Sequence, residues 1–342
     1  MPELILVTGG TGYIGSHTCV ELIEEGYEVI IADNLSNSDI SVLEGIEKIT
    51  GIRPVFENVD LSDPVKTTGF FNKYPGITSI IHFAAFKAVG ESVQVPLLYY
   101  HNNLNSLINI LNNMIRLGIP NIVFSSSCTV YGEPDSLPVS EDAPIKPASS
   151  PYGNTKQICE EILRDTSFVN QFLKVISLRY FNPIGAHPSA IIGELPLGVP
   201  ANLVPFITQT AIGLRAELKV YGSDYNTPDG TAIRDYINVV DLSKAHVVAI
   251  KRLLNNRNKN SFEVFNLGTG KGVSVLEVIN AFEKSTGEKL KYKLVDRRQG
   301  DIEKVYADTR YANKELGWIA EKGLEETLLS AWKWEKYIKL KS

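Results

Sequence analysis

Short apolar runs punctuate the first half of the chain, spaced widely enough to hold a helix between neighbours. They read LILV (4–7), EVIIAD (28–33), SIIHFAA (79–85), NIVFSSS (121–127) and VISLRYF (175–181). Runs that are apolar at successive positions, rather than alternating, suit parallel strands buried on both faces. Strand then helix, repeated, predicts βαβ units with right-handed crossovers and an α/β fold built on a doubly wound parallel sheet. The texture changes after residue 182. NPIGAHPSAIIGELPLGVPANLVPF is rich in Pro and Gly and predicts loop with short elements, hence a second, smaller mixed α/β lobe over 183–342. A return segment near 236–266 is expected to rejoin the first lobe, 1–182. The C-terminal LEETLLSAWKWEKYIKL has helical spacing, with Trp332 and Trp334 read as packing residues.

Composition narrows the function classes. With 342 residues, 44% of them hydrophobic, the chain can bury a large core. A net charge of −5 leaves no electrostatic footprint for nucleic acid. No run of 18 apolar residues suggests a membrane span, and MPELILVTGG carries no basic leader, so a cytoplasmic protein is expected. The three cysteines (Cys19, Cys128, Cys159) are an odd number without CxxC spacing and read as reduced thiols. The five histidines show no ligand spacing, so no metal is expected.

Candidate chemistry begins at TGGTGYIG (8–15), which follows the first strand and precedes the helix-like SHTCVELIEEG. Its glycines fit Gly10-x-Gly12-x-x-Gly15 and the wider Gly9-x-x-Gly12-x-x-Gly15. Such a turn lets backbone approach a pyrophosphate, while the helix start supplies free N–H groups and its dipole. Asp33 ends the next strand, eighteen residues past Gly15. A carboxylate there accepts hydrogen bonds from an adenosine ribose and repels a 2′-phosphate. No Arg or Lys follows in NLSNS (34–38), which favours NAD(H) over NADP(H).

A serine-rich strand end, FSSSCTVYG (124–132), comes before SSPYGNTK (149–156). Side chains at such strand ends face the ligand crevice of a doubly wound sheet. Tyr152 and Lys156, at i and i+4, share one helix face. A neighbouring ammonium favours phenolate over phenol, so Lys156 is expected to bring Tyr152 toward a useful base. The bland alternative is an ordinary surface pair.

These motifs together resemble the extended short-chain dehydrogenases/reductases. Within them the chain is similar to the UDP-galactose 4-epimerases over nearly its whole length, through VTGGTGYIGSHT, ADNLSNS, HFAAFKAVGES, FSSSCTVYG, SPYGNTK, LRYFNPIGAHPS and DGTAIRDYINVVDL. The resemblance implies NAD as cofactor, a UDP-sugar as substrate and a homodimer. It makes 1–182 the NAD-binding domain and 183–342 the UDP-sugar-binding domain. Ser127, Tyr152 and Lys156 become the catalytic set, with Tyr152 taking the proton from the sugar 4-hydroxyl as hydride leaves C4. The implied cofactor contacts are Gly9, Gly12, Tyr13, Ile14, Gly15, Asp33, Asn34, Leu35, Ser36, Asn37, Ser38, Asp60, Leu61, Phe83, Ala84, Ala85, Phe86, Lys87, Asn102 and Phe181, beside the catalytic set. On the substrate side it implies Lys87, Asn182, Asn202, Leu203, Val220, Tyr221, Arg234, Arg298, Asp301 and Val305. For Arg234 and Arg298, residues alone leave open an ion pair with Asp235 or Asp301; guanidinium forks also suit phosphate oxygens.

Departures from the family pattern are modest: Ala85, Cys128 and Asn238 stand where Gly, Ala and His are frequent. Val305 stands where some members carry a Tyr that crowds the sugar, so a 2-acetamido sugar is expected to fit too. The nearest rival activity, 4,6-dehydration, needs an acid pair after the strand-end hydroxyl, and here Cys128 and Thr129 occupy those positions. An ordinary NADH-releasing dehydrogenase and a non-catalytic NAD sensor are the other rivals.

Overall fold

A computed structural model describes residues 2–298 and 301–341. Strand β1 (Leu4–Thr8) leads into α1 (Tyr13–Glu24), then β2 (Glu28–Asp33), α2 (Val42–Thr50), β3 (Val55–Asn58), α3 (Pro64–Lys73) and β4 (Ile77–His82). Helices α4 (Val89–Gln94) and α5 (Pro96–Leu117), β5 (Asn121–Ser125), α6 (Pro151–Val169) and β6 (Lys174–Tyr180) follow. The remainder runs β7 (Asn182–Ile184), α7 (Leu203–Ala211), β8 (Leu218–Tyr221), β9 (Ile233–Arg234), β10 (Tyr236–Asn238) and α8 (Val239–Leu254). It ends with β11 (Phe262–Leu267), β12 (Val273–Ser274), α9 (Val275–Thr286), β13 (Tyr292–Val295), β14 (Lys304–Val305) and α10 (Leu324–Lys341).

The main sheet has the order β11-β6-β5-β4-β1-β2-β3, with every pair parallel. Its alternation explains why the strands read as unbroken apolar runs. Ile5, Val7, Ile31, Ile81, Val123 and Ile176 pack with α1, α2 and α8 on one face. Leu6, Ile30, Ile80, Ile122 and Val175 pack with α3, α5 and α6 on the other. Each such side chain contributes roughly 1.5–3 kcal/mol by leaving water. Strand order reverses between β1 and β4, which opens the ligand crevice at the carboxyl ends of these strands.

Two strands escaped the reading of apolar runs. β3 lies at the sheet edge with Val55 half exposed, so it needs no continuous run. β11 arrives from the second half of the chain and pairs with β6 from Phe262↔Val175 to Leu267↔Tyr180. SIIHFAA also runs past its strand. β4 stops at His82, and Phe83 leaves the sheet after its N–H donates to Thr8 O.

The second lobe gathers α7, α9 and α10 around Val204, Ile207, Val278, Phe282, Leu328 and Trp332. Trp332 is buried there with its ring 5.9 Å from Phe282, a packing residue as expected. β8 pairs with β13, β7 with β10, and β9 lies between β12 and β14. Arg234 and Val305 stand in register across β9 and β14.

Candidate active site

The glycine turn after β1 is tight. Gly9 has φ +69°, and a Cβ on it would lie 2.7 Å from the Ala84 nitrogen. A Cβ on Gly15 would fall 2.3 Å from the Gly9 carbonyl. Bare backbone is therefore required where the loop meets β4 and where α1 begins. Gly12 caps α1 without a side chain, so no side-chain oxygen competes for the first-turn N–H groups of Tyr13 and Ile14. That is a cradle for a pyrophosphate. Tyr13 turns aside and donates its hydroxyl to Gly185 O at 2.6 Å.

Asp33, at the end of β2, accepts from Leu35 N at 2.9 Å and from Thr11 N and Ser38 Oγ at 3.3 Å. Leu35 adopts φ +58°, which folds Asn34–Ser38 back over the carboxylate. Ser36 N donates to Asn34 Oδ1, while Ser38 Oγ lies 2.7 Å from Thr11 Oγ1. Asp60 caps its own turn by accepting from Ser62, and Leu61 is buried with its carbonyl taking Asn109 Nδ2.

Helix α6 explains SSPYGNTK. Ser150 is the N-cap, accepting from Gly153 N at 3.1 Å, and Pro151 fills the first turn where no N–H is needed. Tyr152 and Lys156 then face Ser125–Ser127 at the end of β5. Lys156 is buried; its Nζ donates to Ser125 O at 2.7 Å and lies 4.8 Å from the Phe124 ring centre. The same Nζ is 6.0 Å from the Tyr152 ring centre. Ser127 is buried and caps the turn Cys128–Tyr131, its Oγ accepting from Thr129 N.

Burial pushes the Tyr152 phenol well above its ordinary value and Tyr180 adds to this, while the Ser127 hydroxyl partly opposes it. One N–H of Lys156 is taken by Ser125 O, and its ammonium charge still lies beside the Tyr152 ring. Lys156 is itself lowered to about 8 by burial, against the pull of Cys159 and Glu160. A further positive charge in the crevice is what lowering Tyr152 requires.

Beneath the pair lies a network the motif reading missed. Glu160, one turn beyond Lys156, is buried and pairs with Arg179 at 2.6 Å. It also accepts from Ser126 Oγ at 2.6 Å and Ser177 Oγ at 2.7 Å. Asn103 is another omission. Its side chain brackets Phe86, accepting from Phe86 N at 2.9 Å and donating to Phe86 O at 3.0 Å, and reaches Thr155 on α6. The expected Asn102 touches Asn103. The spacing Tyr152, Lys156, Glu160 was legible as one helix face; a buried Asn beside another Asn gave no such signal.

The remaining candidates form a looser wall. Phe83, Ala84, Ala85 and Phe86 follow β4, with Phe83 4.7 Å from His246 between ring centres. Phe181 and Val305 are buried in one cluster with Tyr131 and Ala307. Val220 is buried in β8 and Tyr221 exposed, with Arg298 5.8 Å over its ring. Asn182 starts β7, its N–H donating to Asp235 O, and Leu203 opens α7 behind Asn202. Arg234 does not pair with Asp235. Its Nη1 donates to Ile233 O at 2.8 Å, and its charge reaches Cys128, beside Ser127. Asp235 is buried and accepts instead from Thr269 and from the Gly270 and Ala307 amides. Arg298 does take the ion pair, with Asp301 at 2.7 Å. Lys87 lies 3.7 Å from Glu194, and Asn202 donates to the same Glu194 oxygen at 2.6 Å. Among the described residues no cluster of three or more His, Cys, Asp or Glu could hold a metal ion.

Comparison with known proteins decides the family. The family described as GDP-mannose 4,6 dehydratase matches residues 6–330. A UDP-glucose 4-epimerase of Bacillus subtilis is 50% identical over 97% of this chain and 96% of its own. The chain belongs to the UDP-glucose 4-epimerase family. Among solved members, the Stenotrophomonas maltophila enzyme, with bound NAD and formylated UDP-arabinopyranose, superposes with a TM-score of 0.95 at 46% identity, covering 99% of this chain and 100% of that one. The Bifidobacterium longum UDP-glucose 4-epimerase, in complex with NAD+ and UDP, gives 0.93 at 46% identity over 98% of both chains. Within this epimerase family Cys128 and Thr129 matter by what they lack. Cys128 and Thr129 stand directly after Ser127, so no carboxylic acid occupies either position.

Proposed function

We propose that this chain is an NAD-dependent isomerase that interconverts UDP-galactose and UDP-glucose at C4 through a 4-keto sugar, as in galactose metabolism. The observation that carries this is Tyr152 and Lys156 held on one face of α6 against Ser127, with no acid at 128 or 129 to divert a 4-keto sugar into dehydration. When bound, NAD supplies the oxidation at C4 and its reversal. The bare Gly9–Gly15 cradle, uncapped α1 and Asp33 hold it, with Asn34–Ser38, Asp60 and Leu61 toward the adenosine and Phe83–Lys87, Asn102 and Phe181 toward the other end. Ser127 Oγ binds the sugar 4-oxygen. Tyr152 accepts its proton and later returns it, and Lys156, anchored on Ser125 O, keeps that corner positive. Arg234, Arg298, Lys87 and Asn202 take the diphosphate, Asp301 the ribose, and Asn182, Leu203, Val220 and Tyr221 complete the nucleotide pocket.

Residues 1–182 with the returning 236–266 segment form the NAD domain, and the rest of 183–342 the UDP-sugar domain. Helices α5 and α6 leave Leu97, Leu98, Ile108, Phe168 and Val169 exposed, which supports a homodimer through these helices. The reduced thiols and a nucleotide-sugar substrate suit the cytoplasm. Val305, in register with Arg234, is small enough to admit a 2-acetamido group, so UDP-GalNAc is a second substrate. Purified protein given UDP-galactose without added NAD should form UDP-glucose. No product even with NAD would overturn the reading. No turnover of UDP-GalNAc at enzyme levels that finish UDP-galactose in minutes would remove the second substrate.

A further inference from the structure

Glu194 has no role among the groups assigned above, yet its carboxylate occupies a telling place. One oxygen accepts from Asn202 Nδ2 at 2.6 Å and stands 3.7 Å from Lys87 Nζ. Those two donors come from opposite sides of the crevice. Lys87 follows β4 in the sheet lobe, and Asn202 caps α7 in the second lobe. Both are open to solvent on their far sides, with Lys87 49% exposed, while the Glu194 side chain is only 12% exposed. The carboxylate is therefore held and the donors are approachable.

What holds it is the main chain. Trp334 Nε1 donates to Glu194 O at 2.8 Å, and Gly193 lies so close under that indole that a Cβ would fall 2.5 Å from it. The Gly193 backbone also bridges to Ala186. These contacts pin the backbone of the segment to α10 and leave the Glu194 side chain as the part that can move. An anion fixed among donors that a phosphate would use is a competitor for that phosphate.

We propose that Glu194 is a positioning residue that competes with the substrate's diphosphate for Lys87 and Asn202, so that nucleotide binding must displace its carboxylate from both. This rests on the reading of Lys87 and Asn202 as nucleotide-binding groups. The competition weakens the hold on the nucleotide. It also speeds release of a UDP-sugar once the sugar has reacted, because the donors have somewhere to return. Substrate and product share the same diphosphate, so an enzyme of this kind gains by not holding it too tightly.

The test uses the holoenzyme with UDP as probe, in titrations of wild type, Glu194→Gln, Glu194→Asp, Asn202→Ala, Lys87→Met and the Glu194→Gln/Asn202→Ala pair. Glu194→Gln keeps the Trp334 bond, which is to backbone, and replaces the charged acceptor facing Lys87 and Asn202 by a weaker neutral one, so it should bind UDP about tenfold more tightly. Its KM for UDP-galactose should fall with it, while kcat stays equal or drops as release slows. Glu194→Asp should restore most of the wild-type affinity. Most of the gain should vanish in the pair, which separates a released Asn202 from a general loss of negative charge. Equal or weaker UDP binding in Glu194→Gln, with Asn202→Ala weakened, overturns the competition alone. Unchanged binding in both Asn202→Ala and Lys87→Met overturns the nucleotide reading of these residues and the competition with it.

Discussion

The two sides of the crevice are built differently. Under Tyr152 and Lys156 the charged groups are buried and paired. Glu160 meets Arg179, Ser126 and Ser177; Arg179 Nη1 donates to Tyr131 OH at 2.9 Å; and Tyr131 donates to Asn266 at 2.6 Å. The facing wall is made of exchangeable pairs, Arg298 with Asp301 and Glu194 with Lys87 reaching from the sheet lobe, in which each cation is about half exposed. Chemistry profits from groups fixed before the substrate arrives, because no reorganisation is then needed at the moment of reaction. Binding a charged handle that must leave again profits from partners that can be traded.

The sharpest way to break this comparison is at the fixed side. Tyr152→Phe removes only the proton acceptor and should lower kcat by about 10²–10⁴. Cofactor content, read by absorbance after denaturation, should stay at the wild-type level. Wild-type turnover would remove Tyr152 from the mechanism. Glu160→Gln tests the floor below it. Breaking one partner of a buried ion pair typically costs about 3–5 kcal/mol, so its urea midpoint should drop clearly. An unchanged midpoint would show that the network is not holding α6 against β5.

The fixed side was also the more legible one. Tyr152, Lys156 and Ser127 stand out because their spacing is local and set by one helix and one strand end. The glycine turn and Asp33 follow from a strand–turn–helix pattern for the same reason. The wall depends on contacts that cross the chain: Lys87 with Glu194 across 107 positions, and Arg234 avoiding its neighbour Asp235 in favour of backbone. Nothing in the spacing of AIRDY distinguishes that outcome from an adjacent ion pair. β11 was placed only as part of a return segment, since its partner β6 lies far back in sequence.

At the wall, Arg298→Ala should raise KM for UDP-galactose about tenfold with kcat little changed, through the loss of one charge-assisted contact. Its effect on stability should stay below about 1 kcal/mol, because the pair with Asp301 is exposed. A larger loss of stability than of affinity would move Arg298 from the binding wall to the scaffold.

The smallest expected effect is a change of slope with pH, and it returns to Lys156. Burial lowers its ammonium to about 8, with Cys159 and Glu160 opposing. Below that value the corner beside Ser127 and Tyr152 is positive and favours the proton-accepting phenolate; above it the charge is lost and burial holds Tyr152 as the phenol, which accepts no proton. kcat/KM should therefore hold on the neutral side and decline as pH rises through about 8. Lys156→Arg substitutes a guanidinium that remains charged beyond about pH 12, so whatever turnover it retains should show no such decline. The same alkaline limb in both proteins would assign it to another group, and the positive charge at the floor would then be a fixed feature of the site rather than a titrating one.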